Sequence, residues 1–327
     1  MLEFFRRLFA NRPAMLSLSL AITALSLWLV FGAVRWSALA DALRGLSWWP
    51  FAFSLAGLAA GTLLRAGRLR VLLRRRGVTF VMALETVLIG YLFTTLLPLR
   101  TGELLRIAYL GQRSGAPNAT VLAAVGVERV ADLIALALLA AVFLSGWAGR
   151  QIAGLPVDPW LLAALAGTGI FAALLAGRLA RRRFAGGLAP AAGRGARLRQ
   201  HFFQGIEALG SGREAGLLIG LSLALWLLVS FSMKIAFLAA GQNIPYAAAV
   251  VIMLGTCFAI ALPSSPGFIG TYHLGFVAGA RLAGIPPEVS LPVAIVFHLV
   301  IQVPFLPLGG IILFCQRRKL LAEATDG

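Results

Sequence analysis

Two apolar segments of this chain are interrupted in the same way, and the interruption constrains the fold more than any other feature. The first lies in LLPLRTGELLRIAYL at residues 96–110, and the second in ALPSSPGFIGTYHLGF at residues 261–276. Each follows an apolar run of about 16 residues, shorter than the roughly 20 that a helix needs to cross a bilayer. Each run breaks at Leu-Pro, has a glycine four positions after that proline, and then resumes helix-compatible sequence. Two broken helices in corresponding halves of a hydrophobic chain are typical of a transport site.

The composition excludes a soluble domain. Hydrophobic residues make up 60% of the 327-residue chain, and the mean hydropathy is +0.89, as in polytopic membrane proteins. The formal charge of +17 does not indicate a nucleic-acid partner, because the arginines occupy short gaps between apolar runs, where the positive-inside rule accounts for them. Cys257 and Cys315 both lie in apolar runs, which favours neither a disulfide framework nor a metal site. The segment Ala14–Val34 predicts a retained first helix rather than a cleaved signal peptide.

Six apolar segments predict full transmembrane helices, and two pairs of shorter segments remain. The short pairs are roughly 82–97 with 101–113 and roughly 246–262 with 267–282. The six full spans are predicted at roughly 14–34, 48–66, 119–146, 160–177, 214–240 and 288–314.

The distribution of Lys and Arg between the loops predicts how the two pairs of short segments enter the membrane. If the segment 82–97 crossed alone, the basic loop at about 178–213, with its eight arginines, would lie outside the cell. That would violate the positive-inside rule, whereas hairpins that re-enter on their own side place this loop and most other Lys and Arg residues in the cytoplasm. Both termini are then cytoplasmic. Two short crossings per pair would leave the rest of the chain on the same sides of the membrane as a re-entrant hairpin does. The sequence therefore leaves both re-entrant and crossing segments open.

The resulting plan is an all-α polytopic membrane protein with an inverted-topology repeat. The chain is predicted to form a single transmembrane domain, residues 1–327, with halves at about 14–146 and 160–314. Each half runs span, span, hairpin, span, and the halves have opposite orientations. The alternative is that Leu-Pro-x-x-x-Gly recurs by chance in a leucine-rich chain.

The first break carries charged residues. A helix that begins at membrane depth presents unpaired N–H groups and a partial positive charge, which favour an anion such as phosphate. The planar guanidinium groups of Arg100 and Arg106 would bind phosphate oxygens. Glu103 would complement the helix dipole or take up a proton. Gly102 allows close backbone approach. Alternatively, both arginines are juxtamembrane charges that extend to lipid headgroups.

The second break is uncharged. Its candidate substrate-binding residues offer neutral hydrogen bonds or close backbone approach, although the glycines and prolines would also be explained by the shape of the hairpin alone. His273 is either a packed histidine or a proton relay. The candidates are Ser264, Ser265, Gly267, Gly270, Thr271 and Tyr272, and the residues that shape the two hairpins are Pro98, Pro263 and Pro266.

A third group of ionisable residues lies within the span that begins near residue 119. Glu128 and Asp132 share a helix face, and Arg129, the residue after Glu128, lies on the neighbouring part of the helix surface. Ionisable groups at this depth face a cavity or each other, so these residues either couple transport to protons or lock the helix to a neighbour. Lys234 would pair with an acid from the other half. Further polar residues within or beside the spans are Glu85, His298 and Gln302.

The sequence does not point to an enzyme. HExxH, GxSxG, P-loop, CxxC and aspartate-rich prenyl-diphosphate motifs are absent, and the three histidines are scattered. We expect no cofactor and no metal. An intramembrane transferase that uses Glu103 or Glu128 stays open.

Three segments together carry a family resemblance. LPLRTGELLRIAYL, VERVADLIAL and LPSSPGFIGTYHLGF resemble the flippase-like transmembrane domain of the lysylphosphatidylglycerol synthase family, over nearly the whole chain. In bifunctional members a soluble aminoacyl-transfer domain follows this domain. Because the sequence ends at Gly327, the resemblance implies a stand-alone member without the synthase domain. It implies functional roles for Pro98, Arg100, Gly102, Glu103, Arg106, Glu128, Arg129, Asp132, Pro263, Ser265, Pro266, Gly267 and Gly270.

The expected function is that of a lipid flippase in a bacterial inner membrane. It would move an anionic or aminoacylated phospholipid or polyprenyl lipid by alternating access, and coupling to protons stays open. The alternative is a non-transporting scaffold for a separate lipid- or glycan-modifying enzyme. The expected partners are the lipid substrate and the bilayer, with such an enzyme and a second copy of the chain as open alternatives.

Overall fold

The computed structural model describes residues 13–32, 36–97, 101–144, 151–152, 155–156, 212–262 and 266–325. Within these ranges the protein is helical, apart from the antiparallel two-residue strands β1 (Gln151–Ile152) and β2 (Leu155–Pro156). The helices, in chain order, are α1 (Pro13–Phe31), α2 (Trp36–Arg44), α3 (Trp49–Leu73), α4 (Phe80–Leu96), α5 (Thr101–Ser114), α6 (Asn118–Phe143), α7 (Gly212–Leu238), α8 (Tyr246–Ala261), α9 (Thr271–Leu282), α10 (Pro287–Gln302) and α11 (Phe305–Thr325), with 3₁₀ turns at Arg74–Arg76 and Pro266–Phe268.

The helices break where the Leu-Pro pattern predicts. Helix α4 ends at Leu96, and α8 ends at Ala261. Leu262 is extended, with φ −67° and ψ 147°, because a residue before proline avoids the helical region. Helix α9 begins at Thr271, four residues later than the predicted 267. The left-handed backbone of Gly267 and Gly270, with φ of +66° and +89°, accounts for that delay.

The chain returns along itself after the first break. A Cβ atom built on Gly102 would lie only 2.9 Å from the carbonyl oxygen of Gly90, so the start of α5 touches the end of α4. Further from the break, Tyr109 of α5 donates a hydrogen bond of 2.9 Å to Glu85 of α4. Later residues of α5 therefore contact earlier residues of α4, so the two helices are antiparallel. We call α4 and α5 the first hairpin.

Helices α8 and α9 form the second hairpin through glycine contacts. A Cβ atom on Gly255 would lie 2.8 Å from the carbonyl oxygen of Gly275, and one on Gly279 would lie 2.7 Å from the Cα atom of Ile252. Small residues at helix–helix contacts allow such close backbone approach in membranes. The spacing of Gly275 and Gly279 places both on one face of α9.

The other predicted spans coincide with helices where they are described. Helices α1, α3, α6 and α7 lie at the predicted first, second, third and fifth spans. The predicted span 160–177 and most of the loop 178–213 lie outside the described residues. The last predicted span is divided into α10 and α11, because Pro304 has no backbone N–H to continue the helix.

Two segments among the described residues are long and apolar enough to cross a membrane. They are Gly212–Leu238, of 27 residues, and Pro287–Gln316, of 30 residues, which includes the interruption at Pro304. Leu20–Val30, α4 and α8 are shorter apolar helices. The count of six spans and the inverted repeat therefore stay predictions.

Helix α2 was not predicted from the sequence. It is a nine-residue amphipathic helix that follows α1. Its buried Leu39 packs with Val30, Val277 and Leu291 in one apolar cluster, whereas Asp41 is exposed. A short helix of this kind lacks the long apolar run used to assign spans, so that criterion missed it.

The structure forms two compact units. The first contains residues 1–55, 90–104 and 233–327, and the second contains residues 56–89 and 105–232. In the first unit, Phe237 stacks on Phe276 with ring centroids 5.7 Å apart. The core of the second unit is aliphatic and includes Leu69, Leu73, Leu110, Val121, Ala124 and Leu218.

Candidate functional site

In the second unit, two of the predicted site residues form a buried ion pair. Arg106 Nη2 of α5 donates to Glu128 Oε2 of α6 at 3.0 Å. The two side chains are only 10% and 4% exposed. Each charge is therefore compensated by the other rather than by water.

The rest of the first break is described in part. Gly102 is buried and Glu103 is partly buried, in the first turn of α5, where a carboxylate complements the positive end of the helix dipole. Pro98 and Arg100 lie outside the described residues.

Asp132, another predicted residue, accepts hydrogen bonds from two side chains that the sequence analysis did not single out as site residues. Arg68 of α3 bonds to both carboxylate oxygens, and Trp226 of α7 donates its indole N–H to Asp132 Oδ1 at 3.0 Å. Arg68 also donates to Ser222 Oγ at 2.6 Å. Both Arg68 and Asp132 are buried. Three helices of the second unit therefore meet at one carboxylate.

Two more guanidinium groups lie beside this carboxylate. Arg129 Nη1 is 3.6 Å from Asp132 Oδ2, and its side chain is 47% exposed. The guanidinium of Arg65 lies 5.5 Å from the ring centroid of Trp226, which is a cation–π distance. We call Arg65, Arg68 and Arg129, with Asp132 and Trp226, the arginine cluster. The sequence signals for it were the i,i+3 spacing of Arg65 with Arg68 and the i,i+4 spacing of Ser222 with Trp226.

Glu85 contacts Tyr109 and Arg113 of α5. It accepts from Tyr109 at 2.9 Å, and Arg113 Nε lies 3.5 Å from the same carboxylate oxygen. Sequence reasoning named Glu85 as a polar residue near the break, and the structure places it in a contact within the first hairpin.

In the first unit, Gln302 contacts the end of α4 and the second helix break. Its Oε1 accepts a hydrogen bond of 2.6 Å from Thr95, in the last turn of α4 just before the first break. Its Nε2 donates to the carbonyl oxygen of Gly267, in the second break, at 3.1 Å. His298 Nε2 donates to the same carbonyl at 2.9 Å. We call Thr95, Gly267, His298 and Gln302 the tip cluster.

Aromatic contacts extend the tip cluster into α9. The ring of Tyr272 stacks on His298, with centroids 4.2 Å apart and an interplanar angle of 11°. His273 meets His298 edge-on at 5.0 Å. All three side chains are buried. The Tyr272 hydroxyl has no hydrogen-bond partner among the residues that the structure describes. His273 is therefore packed against the tip cluster. Its role as a proton relay stays a prediction.

The other candidates at the second break have structural contacts. Thr271 donates to the carbonyl oxygen of Phe268 at 3.3 Å, at the start of α9. Gly270 approaches α1 closely, because a Cβ atom there would lie 3.0 Å from the carbonyl oxygen of Thr23. Pro266 begins the 3₁₀ turn. Pro263, Ser264 and Ser265 lie outside the described residues.

Lys234 binds neutral oxygens. Its ammonium donates to Asn243 Oδ1 at 2.8 Å and to the carbonyl oxygen of Ile244 at 2.5 Å. Its partners in the described part of the chain are thus an amide and a backbone carbonyl that follow the end of α7, rather than the acid that the sequence suggested. In the same part of the chain, no group of three or more His, Cys, Asp or Glu residues is placed to hold a metal ion.

Apolar helices, buried ion pairs and two helix hairpins define a helical membrane protein with polar sites inside its units. The family model described as "Lysylphosphatidylglycerol synthase TM region" matches residues 16–309. The chain therefore belongs to this family, as the resemblance predicted. It is also similar to glycosyltransferase AglD of Haloferax volcanii, with 27% identity over 282 residues that cover 72% of this chain and 44% of that protein. The chain spans less than half the length of this relative.

Proposed function

We propose that this protein moves a lipid headgroup across the bilayer by alternating access. The observation that carries the proposal is that Gln302 hydrogen-bonds to Thr95, in the last turn before the first break, and to Gly267, in the second break. Substrate sites of secondary transporters lie where discontinuous helices meet, because unwound backbone offers polar groups at membrane depth. Membership of the lysylphosphatidylglycerol synthase transmembrane family supports a lipid-related role.

Gln302 gives the two hairpins a defined closed state. Irregular backbone in a bilayer needs partners from the protein or from a water-filled cavity. The carbonyl of Gly267 obtains two such partners, from His298 and Gln302, and Thr95 obtains one. Opening a path between the breaks requires these hydrogen bonds to be exchanged for bonds to water or substrate. The tip cluster therefore keeps the path between the two breaks closed, and the free energy needed to open it depends on the hydrogen bonds of Gln302.

The substrate in this proposal is an anionic or aminoacylated phospholipid or polyprenyl lipid, in an inner membrane with both termini cytoplasmic. Its headgroup enters near the first break, at Arg100, Gly102 and Glu103. The neutral groups of the second break then contact it, and its apolar tails stay in the bilayer. Protonation of Glu103, Glu128 or Asp132 supplies a means of coupling, since the sequence carries no ATP-binding motif.

Reconstituted protein tests this proposal. Wild type and Gln302→Ala are compared in proteoliposomes that contain headgroup-labelled lipids, with the exposed Gln242→Ala as matched control. Gln302→Ala removes two hydrogen bonds of about 1 kcal/mol net each, which shifts the closing equilibrium roughly thirtyfold. We expect transport to fall at least tenfold while membrane insertion and the control stay unchanged. Equal transport by all three proteins would reject the tip cluster as part of the path.

A second candidate function is favoured by the relative named glycosyltransferase AglD. In this function the chain is a membrane scaffold for a separate glycan-modifying enzyme. Substitutions of arginine in the loop 178–213 would then abolish activity in cells, whereas Gln302→Ala would not. Transport by the purified protein alone distinguishes the two functions.

A further inference from the structure

We propose that the connection between α1 and α3, which contains α2, binds the boundary between lipid headgroups and acyl chains in one leaflet of the bilayer. We call the exposed tryptophans of this connection the tryptophan surface, and its members are Trp28, Trp36, Trp48 and Trp49. The inference goes beyond the proposed function, because it concerns the bilayer around the protein and not the lipid that is moved. It holds equally for a translocator and for a scaffold.

The exposure of these tryptophans indicates an interfacial environment. They are four of the seven tryptophans in the chain, and they are 56–69% exposed. In the second unit, by contrast, Trp226 donates its indole N–H to Asp132. An exposed indole suits neither water, because the ring is apolar, nor hydrocarbon, because the N–H needs an acceptor. The membrane–water interface satisfies both parts of the side chain, so tryptophan is enriched there.

Helix α2 has an apolar face that extends past the protein. Leu39 and Leu43 pack in one apolar cluster with residues of α1, α9 and α10. Trp36 lies seven residues before Leu43 and therefore shares its face, but Trp36 is exposed. The charged residues Asp41 and Arg44 lie on another side of α2 and are also exposed. An apolar face that continues beyond its protein contacts, with charges on the other side, is typical of a helix that lies in a membrane interface.

The position of α2 along α9 agrees with the height of a membrane interface. Gly270, at the second break, approaches Thr23 of α1, since a Cβ atom on it would lie 3.0 Å from the carbonyl oxygen of Thr23. Further along the same two helices, Val277 of α9 and Val30 of α1 belong to the cluster that contains Leu39 of α2. The seven residues from 270 to 277 correspond to about 10 Å of helix. Half of the hydrocarbon core is about 15 Å thick, so a break near the bilayer midplane places α2 close to the interface.

The tryptophans at the start of α3 adjoin an apolar surface. The ring of Trp48 lies 6.1 Å from that of the buried Phe51, and Trp49 meets Phe53 edge-on at 5.8 Å. Phe53 lies one turn further into α3, a predicted span, and is exposed. The tryptophan surface therefore continues into the exposed apolar surface of this helix. This continuity favours lipid, rather than a protein partner, as its occupant.

Spin labels on full-length protein measure the depth of this surface. The protein is reconstituted in vesicles of phosphatidylethanolamine and phosphatidylglycerol, and the free cysteines Cys257 and Cys315 are first replaced by serine. Depth is measured from the ratio of label collisions with oxygen, which dissolves in hydrocarbon, to collisions with a water-soluble nickel chelate. The labelled variants are Trp36→Cys, Trp49→Cys, Phe53→Cys and, as the control on the polar side of α2, Asp41→Cys.

The expected depths differ between these positions. Labels that replace Trp36 and Trp49 should lie in the interface, roughly 5–10 Å into the boundary between headgroups and acyl chains. Phe53 follows Trp49 by four residues on the same face of α3, so its label should lie up to about 6 Å deeper. The label that replaces Asp41 should contact water.

A second measurement uses the native indoles, so that the test survives a cysteine variant that does not fold. Trp48→Phe and Trp49→Phe keep an aromatic ring, and each should remove fluorescence that lipids brominated near the headgroup quench. Trp226→Phe is the matched control, because it removes an indole that is hydrogen-bonded inside the second unit. It should leave the quenched part of the fluorescence unchanged.

Two results would overturn the inference. The first is that the labels replacing Trp36 and Trp49 contact only water and the indoles of Trp48 and Trp49 are not quenched by the lipids. The second is that these labels collide with neither oxygen nor the nickel chelate, because protein then covers the surface; dipolar broadening between labels would identify a second copy as that protein. Depth is measured without transport, so failure of this inference and failure of the proposed function are distinguishable.

Discussion

The buried pair Arg106–Glu128 allows a stability prediction with a definite size. Its atoms are 3.0 Å apart and its side chains are 10% and 4% exposed, so removal of Arg106 leaves a carboxylate buried without its counter-charge. Breaking such a pair costs about 3–5 kcal/mol, whereas replacing both partners by apolar residues of similar volume is near neutral. We expect Arg106→Met and Glu128→Leu each to lower the free energy of unfolding by about 3–5 kcal/mol. The double variant should be more stable than either single variant.

A double-mutant cycle in detergent, followed by denaturant or thermal unfolding, measures this coupling. The exposed pair Arg44–Asp41, at 3.3 Å with side chains 80% and 73% exposed, is the control. Because solvent screens it, Arg44→Met should cost less than about 1 kcal/mol. Additive effects of the two buried substitutions, or single effects as small as that of Arg44→Met, would refute the reasoning.

Three further predictions concern the hairpins and the arginine cluster. Gly275→Val should destabilise the second hairpin by about 1–3 kcal/mol, because a Cβ atom there would lie 2.6 Å from that of Ala259, whereas Gly220→Ala in open space should be neutral or stabilising in the same unfolding assay. Gly267→Ala should cost about 1–2 kcal/mol at its φ of +66° and lower transport in proteoliposomes, and full activity would contradict a role of the second break in transport. Trp226→Phe removes the 3.0 Å hydrogen bond to Asp132 and should lower the free energy of unfolding by about 1.5–3 kcal/mol in the same assay, and an unchanged free energy would contradict a stabilising role of this bond.

The helix breaks were predictable from sequence because their causes are local. Pro263 determines the conformation of the residue before it, and the left-handed glycines determine where α9 begins. The predicted start at residue 267 was wrong because a second left-handed glycine, Gly270, delays the helix. Pro304 was an equally local signal within the last predicted span, and it divides that span into two helices.

The side-chain clusters were less predictable because their contacts are distant in sequence. Thr95 and Gln302 are 207 residues apart, and Arg68 and Ser222 are 154 apart. The sequence analysis did not single out Arg68, since composition does not show which arginine is buried. Only the folded chain shows that Arg68 is 2% exposed and bonded to Asp132. Glu128 and Asp132 were predicted as one group, but they have different arginine partners.

Lipid movement by the purified wild-type protein is the measurement that tests the central claim most directly. Proteoliposomes would carry headgroup-labelled phosphatidylglycerol, aminoacylated phosphatidylglycerol or a polyprenyl phosphate, and an impermeant quencher would report the label that stays on the outer leaflet. The account predicts that wild type moves at least one of these lipids faster than protein-free vesicles do, and that Gln302→Ala does not. Correctly inserted wild-type protein that moves none of them would contradict translocation and favour the scaffold function.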